Sequence, residues 1–268
     1  MVFGDDSSPS ADLAWLWINS HAWPAWRLEV VHAMDPVVVK ASAQRPAPRP
    51  WTPAHPRRAF AEAHLEDVEL LTIEEDPRVA LVRAADLLVI GPRGRGVLKA
   101  MHVGSTAEWL MRCPSTPTVV VRHGRPTRSV VVCHDGSANA GAATRALSRM
   151  PWAPELTVTV VAVRDGRADI DFAVASATSA LASAGATVRN RVLNGEPVDQ
   201  LLQYLGQHEP DLVVLGASSL TGVQRLALES PANVVAHSAQ HSILLACERL
   251  EVMATASDDL GSDAASCA

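Results

Sequence analysis

The sequence predicts an α/β protein built from two tandem copies of one doubly wound domain, each with a five-stranded parallel sheet. Two observations predict it. The first is an internal repeat: DLLVIGPRGRGVLKAMHVGSTAEWLMRCPSTPTVVVR, from Asp86 to Arg122, is matched without insertion by DLVVLGASSLTGVQRLALESPANVVAHSAQHSILLAC, from Asp211 to Cys247, 125 positions later. Asp6-Ser7-Ser8 is matched in the same way by Asp135-Gly136-Ser137, 129 positions later. The halves therefore differ by only a few residues of loop, and repetition of this kind sets the architecture. The second observation is the alternation of short apolar runs with helical patterns, which marks parallel α/β units. The chain has 268 residues, 48% of them apolar, which suffices for two cores.

Taken in order, the first copy carries strands at Val2 to Asp5, Arg27 to Ala33, Val68 to Thr72, Asp86 to Gly91 and Pro117 to Arg122. The second carries them at Ser129 to His134, Glu155 to Val163, Thr187 to Leu193, Asp211 to Gly216 and Ser242 to Cys247. DLLVIG and DLVVLG are apolar on both faces, as strands are when helices cover both sides of a parallel sheet. Helices are expected over Pro9 to Asn19, Pro77 to Ala85, Ser105 to Arg112, Ala138 to Arg149, Ile170 to Ala184, Pro197 to His208 and Pro231 to His237. Trp15, Trp17, Trp23 and Trp26 read as packing of the first helix, and Cys133 as a buried, inert thiol. Gln44 to Arg58 is a proline-rich cationic excursion that cannot form regular structure. His123 to Pro126 is the linker, dividing a domain over 1–123 from one over 127–250, and the Ala/Ser/Asp-rich stretch 254–268 is expected to be a disordered tail.

Composition narrows the function. The net charge is −6 and neither half has a dense basic stripe, which argues against a nucleic-acid surface. Four cysteines form no CxxC and no zinc spacing, consistent with a reducing compartment. The acidic start and the lack of a long apolar run predict a cytoplasmic chain with no membrane partner. No GxxxxGK[ST] loop, no lysine near Gly91 to Gly96 and no carboxylate–histidine pair are present. Catalytic residues are therefore not assigned, and any ATP hydrolysis is expected to be slow.

Ligand chemistry is expected where strand order reverses, beyond the carboxyl ends of the first and fourth strands. Those ends are Asp5-Asp6 and Gly91-Pro92-Arg93-Gly94. Gly91 and Gly94 let backbone approach a phosphate, and Gly104-Ser105-Thr106 opens a helix whose amides and dipole favour an anion. Arg93 or Arg95 reads either as a contact to outer phosphates or as a solvated side chain on a glycine-rich turn. Asp135, without downstream glycines, reads as a cap for the helix from Ala138, and His32 and His134 read either as base contacts or as buried, satisfied imidazoles.

The spacing Gly91-x2-Gly94-x9-Gly104-Ser105 resembles that of the universal stress protein family, whose nucleotide-binding members carry Gly-x2-Gly-x9-Gly-Ser/Thr after the fourth strand. The resemblance implies a flavodoxin-like strand order 3-2-1-4-5 and ATP as ligand, with or without Mg²⁺. It implies an aspartate near the ribose and phosphates, by position Asp6 with Asp5 adjacent, and adenine beside Val31, His32 and Ala33. The family pairs its domains through the fifth strands, so Thr118 to Val121 should meet Ile243 to Ala246 as a pseudo-dimer within one chain, and a homodimer of chains is compatible with that. A nucleotide-linked stress sensor acting on an unidentified protein partner is the implied function, and a nucleotide-free scaffold of the same fold is the alternative. The chain departs from the family in its short first strand and in Ser7, where a glycine is usual.

The second copy has Ser219 and Glu229 in place of Gly94 and Gly104. A carboxylate about 5 Å from a phosphate charge costs about 3 kcal/mol at an effective dielectric of about 20, so this copy is expected to hold no ATP. Arg45, Arg49, Arg57 and Arg58 read either as a solvated loop or as a lid over a nucleotide in the first copy.

Overall fold

The computed structural model describes residues 1–34, 63–82, 85–93, 104–112, 115–164, 170–217, 231–238 and 240–248. The expected arginine loop, the tail, Gly94, Ser219 and Glu229 lie outside the described residues. In chain order the first half contributes β1 (Val2–Gly4), α1 (Pro9–Asn19), β2 (Arg27–Ala33), β3 (Asp67–Ile73), α2 (Pro77–Ala80), β4 (Leu88–Ile90), α3 (Ser105–Arg112) and β5 (Thr118–Val120). The second contributes β6 (Ser129–Cys133), α4 (Ala138–Ser148), β7 (Thr157–Arg164), α5 (Ile170–Ser183), β8 (Thr187–Asn194), α6 (Pro197–His208), β9 (Leu212–Gly216), α7 (Pro231–Ser238) and β10 (Ser242–Ala246). Ala153–Glu155, expected in part as strand, forms a short 3₁₀ turn because Pro154 sits at its start. α2 ends at Ala80, earlier than the expected Ala85.

Among the described residues the two sheets merge into one of ten strands in the order β3-β2-β1-β4-β5-β10-β9-β6-β7-β8. Each half thus has the implied 3-2-1-4-5 order, and all pairs are parallel except the central one. There β5 meets β10 antiparallel, with Val120 opposite Ile243, Val119 opposite Leu244 and Thr118 opposite Leu245. Joining the fifth strands removes two exposed edges from the middle of the molecule. β1 is short, yet pairing continues past its ends: Glu29 N–H donates to Met1 O at 2.9 Å and Asp5 N–H to Val31 O at 2.9 Å.

Strand alternation divides the core in two. Phe3, Val30, Val89, Val119, Val132 and Val214 point to one face, under α1, α4 and α5. Val2, Val31, Ile90, Val120, Val131 and Leu215 point to the other, under α2, α3, α6 and α7. α1 is capped by Ser8, whose Oγ accepts from Ala11 N–H at 3.1 Å, and Pro9 supplies a first-turn residue with no N–H to satisfy. α4 repeats the device with Ser137, whose Oγ accepts from Ala140 N–H at 3.1 Å. The cap is therefore Ser137 and not Asp135, whose Oδ1 instead accepts from Ser137 N–H at 3.0 Å in the preceding turn.

The tryptophans do more than pack the first helix. Trp23 and Trp152, matched positions 129 apart, meet edge to face at 5.8 Å, and Trp17 lies against both. The two halves thus share one aromatic core. Thr127, just after the linker, closes it: its Oγ1 accepts from Trp17 Nε1–H at 3.0 Å, and its N–H donates to His21 Nε2 at 2.9 Å. On the opposite face Arg122 spans the junction, donating to Ala236 O at 2.9 Å near the carboxyl end of α7 and to His241 O at 2.8 Å. Burial, and then the charge of Arg93, pull its pKa down to about 10, so it remains a cation at neutral pH. Among the described residues no helix is long and apolar enough to cross a membrane.

Candidate functional site

The site follows from strand order. β1 lies between β2 and β4, so the chain leaving β1 and the chain leaving β4 diverge to opposite sides and open a crevice at their carboxyl ends. A cavity of about 340 Å³ occupies it. Asp5, Asp6, Val31, Ala33, Gly91, Arg93, Gly104, Ser105 and Thr106 all line it. The fold therefore brings together nine of the eleven residues singled out in the sequence. Gly94 lies outside the described residues, and His32 does not line the cavity. The His32 ring turns toward β1 and donates from Nδ1–H to Asp5 O at 2.6 Å, the direction being set by the carbonyl acceptor.

Lining residues that the sequence reading missed are Gly4, Pro77, Leu81, Ile90 and Ala107. Pro77 and Leu81 come from α2 and its end, where apolar periodicity reads as core. Only the placement of α2 across the end of β2 turns that core face into a wall. Gly4 is held to glycine by the fold: a Cβ there would stand 3.0 Å from Ile90 Cγ2 and 3.1 Å from Leu81 Cδ2.

Across the sheet the lining falls into three stripes. Val31, Ala33, Pro77 and Leu81 form an apolar wall at the β2 end. Asp5 and Asp6 follow β1 in the middle; Asp5 is buried, and its Oδ1 accepts from Ser7 N–H at 2.8 Å. Asp6 Oδ1 accepts from Ser8 N–H at 3.0 Å. Ser8 Oγ then donates to Arg93 O at 3.2 Å, tying the acidic turn to the chain leaving β4.

The third stripe is the start of α3. Its first intrahelical bond runs from Glu108 N–H to Gly104 O at 2.8 Å, so the N–H groups of Ser105, Thr106 and Ala107 precede any intrahelical acceptor. The three residues line a cavity that Arg93 also lines, a setting that favours an anion. Gly104 refines the sequence reading: the residue lines the cavity, and its amide donates to Pro92 O at 2.7 Å, closing the loop. Gly91 is a second refinement: a Cβ there would lie 2.6 Å from the backbone C and O of Ser10. A Cβ at Gly216, its match in the other half, would run into the backbone of Asn139 and Ala140 in the same way. Both glycines let the first turn of a helix sit against the sheet.

Ser7 has φ +57°, and its counterpart Gly136 has φ +83°. The left-handed turn costs a serine what it does not cost a glycine. Ser7→Gly is therefore expected to stabilise the protein by about 0.5–1 kcal/mol, seen as a higher urea midpoint at unchanged slope. A lower midpoint would show that the Ser7 side chain stabilises this turn.

α7 begins with Pro231, which stands 125 positions after Thr106 and has no N–H to offer. His134, in the place of Asp5, is buried and accepts from Gly136 N–H through Nδ1 at 3.1 Å. Burial lowers its pKa, which the nearby Asp135 partly offsets. Cys133 is buried and its thiol is pushed up to about 12 by that burial, then by Asp135, so it is inert.

The model of the universal stress protein family matches residues 1–122 and again 126–246. The chain belongs to the universal stress protein family. A universal stress protein from Archaeoglobus fulgidus DSM 4304 is 14% identical, with a TM-score of 0.63 over 92% of this chain and 96% of that one. A putative universal stress protein from Pseudomonas aeruginosa UCBPP-PA14 is 13% identical, with a TM-score of 0.56 over 92% of this chain and 91% of that one. At such identities the likeness is one of fold, and it extends over both halves. A universal stress protein solved in complex with cAMP is 29% identical over 45% of this chain and 97% of that one, with a TM-score of 0.39. No curated protein matches this chain in sequence.

Proposed function

We propose that this universal stress protein binds one adenine nucleotide, ATP with or without Mg²⁺, in its first half and acts as a nucleotide-linked regulator of a protein partner in the cytoplasm. The observation that carries this reading is the order of the three stripes. An apolar wall suits a base, carboxylates accept hydrogen bonds from sugar hydroxyls, and the amides of a helix start beside Arg93 suit phosphate. The cavity of about 340 Å³ is of a size with small-ligand sites. The ligand would rest on Val31, Ala33 and Leu81, on Asp5 and Asp6, and on Ser105 and Thr106. ATP supplies the charged phosphates that these groups would read.

One observation favours the alternative, a nucleotide-free scaffold. Gly91 and Gly216 both meet helix backbone, so these two glycines have a packing reason in each half. Calorimetric titration of the full chain with ATP, AMP, cAMP and adenosine separates the two. One site is expected, with the phosphate-bearing ligands ahead of adenosine. Gly104→Glu, which copies the second half, is expected to weaken ATP at least about tenfold. No heat with any ligand would favour the scaffold, and two equivalent sites would overturn the assignment to the first half.

A further inference from the structure

The ten-stranded sheet ends in two strands of opposite charge. β3 lies at one edge and β8 at the other, and among the described residues each pairs with a single neighbour. β3 exposes Asp67 and Glu69, and β8 exposes Arg189 and Arg191. Edges protected against association usually carry one sign of charge, so that copies repel. Here the signs are complementary, and copies attract end to end.

We propose that the protein self-associates head to tail, β8 of one copy lying antiparallel to β3 of the next and continuing the sheet. Direction is right for this. Strands within each half are parallel and the halves meet antiparallel at β5 and β10, so β3 and β8 run in opposite senses. A copy displaced along the sheet then presents an antiparallel partner.

The faces agree as well. Leu71 and Ile73 of β3 and Leu193 of β8 pack into the same core face, the one under α2, α3, α6 and α7. With a period of two, Asp67, Glu69, Arg189 and Arg191 all lie on that face. Setting Arg189 opposite Glu69 places Arg191 opposite Asp67, because antiparallel partners advance in opposite directions. The same register puts Leu70, 44% exposed, opposite Val188, whose side chain belongs to the other face together with Val68. One register thus joins two ion pairs and covers an exposed leucine.

Such a contact is heterologous, each copy using two different surfaces, so it builds open chains and not a closed dimer. The area is small and the ion pairs are exposed, which makes the association weak and salt-sensitive.

Sedimentation velocity of the full chain across a concentration series at low salt tests this. The weight-average mass is expected to climb past that of a dimer and to fall back as salt is added. The double variant Arg189→Glu/Arg191→Glu has two acidic edges, and Asp67→Arg/Glu69→Arg has two basic ones. Each alone is expected to associate about tenfold more weakly or less than the wild type. Mixed in equal amounts they are expected to regain association, which also shows that both are folded. A wild type that stays monomeric at every concentration, a mass that stops at a dimer, or a mixture that does not regain association would each overturn the proposal.

Discussion

Acidification is expected to remove about 3 kcal/mol of stability through one side chain, His21, as the pH falls from 6.5 to about 4. His21 is buried against Trp17 and Trp152, with ring centroids 4.7 and 4.4 Å away. Its hydrogen bonds allow one neutral tautomer. Trp17 O at 2.7 Å is an acceptor, so Nδ1 carries the proton, and Thr127 N–H at 2.9 Å is a donor, so Nε2 carries none. Protonating Nε2 breaks the bond to Thr127 and places a charge inside the aromatic core shared by the halves.

Burial is the main cause that holds the pKa down to about 4; the bond to Trp17 O opposes it, Arg128 adds to it, and Glu155 and Asp211 oppose it. The sign follows from linkage. The folded pKa lies below the unfolded one, so the contribution is complete above pH 6.5 and is lost as the pH falls toward the folded value. His123, His134 and His241 are also lowered by burial and act in the same direction. Urea midpoints of the wild type and of His21→Gln, compared from neutral pH to pH 4, measure the effect. The variant is expected to start less stable and to lose less on acidification. Parallel curves, or a His21 ring that titrates near 6.5 by NMR, would contradict it.

Gly91→Ala is expected to destabilise the protein by about 2–3 kcal/mol, close to the upper end for an overpacked core. The added Cβ would sit 2.6 Å from the backbone C and O of Ser10 and 2.7 Å from its Cβ, and backbone in the first turn of α1 has no rotamer by which to yield. α1 must move away from β4. That movement pulls on the bond from Ser8 Oγ to Arg93 O and on the turn that carries Asp5 and Asp6. Stability and ligand affinity should therefore fall together. A glycine needed only for approach of a ligand would behave differently, its variant keeping the wild-type urea midpoint and losing affinity alone. Gly216→Ala, in the half proposed to bind no nucleotide, is the control; it should lose a similar amount of stability with a smaller change in affinity, because a Cβ at Gly216 would run into the backbone of Asn139 and Ala140.

Much of this protein could be read from the chain itself. The matched segments from Asp86 and Asp211 announced two copies, and the double-sided apolar runs announced parallel strands between helices. α1, α3 and α6 began and ended where their patterns did. Strand order then brought Asp5, Asp6, Gly91 and Ser105 to one crevice, because topology permits few ways to wind such units. These features depend on period, turn chemistry and short-range order, which neighbouring residues carry. What only the tertiary structure decided depends on residues far apart in sequence and close in space. Trp23 meets Trp152, His32 turns to Asp5 O and not to the cavity, and Gly104 uses its amide on Pro92 O. Gly91 and Gly216 owe their lack of a side chain to a helix crossing overhead. The reason is geometric: an apolar residue says that it will be buried, but the partner it is buried against is set by how strands of both halves twist and stack into one sheet.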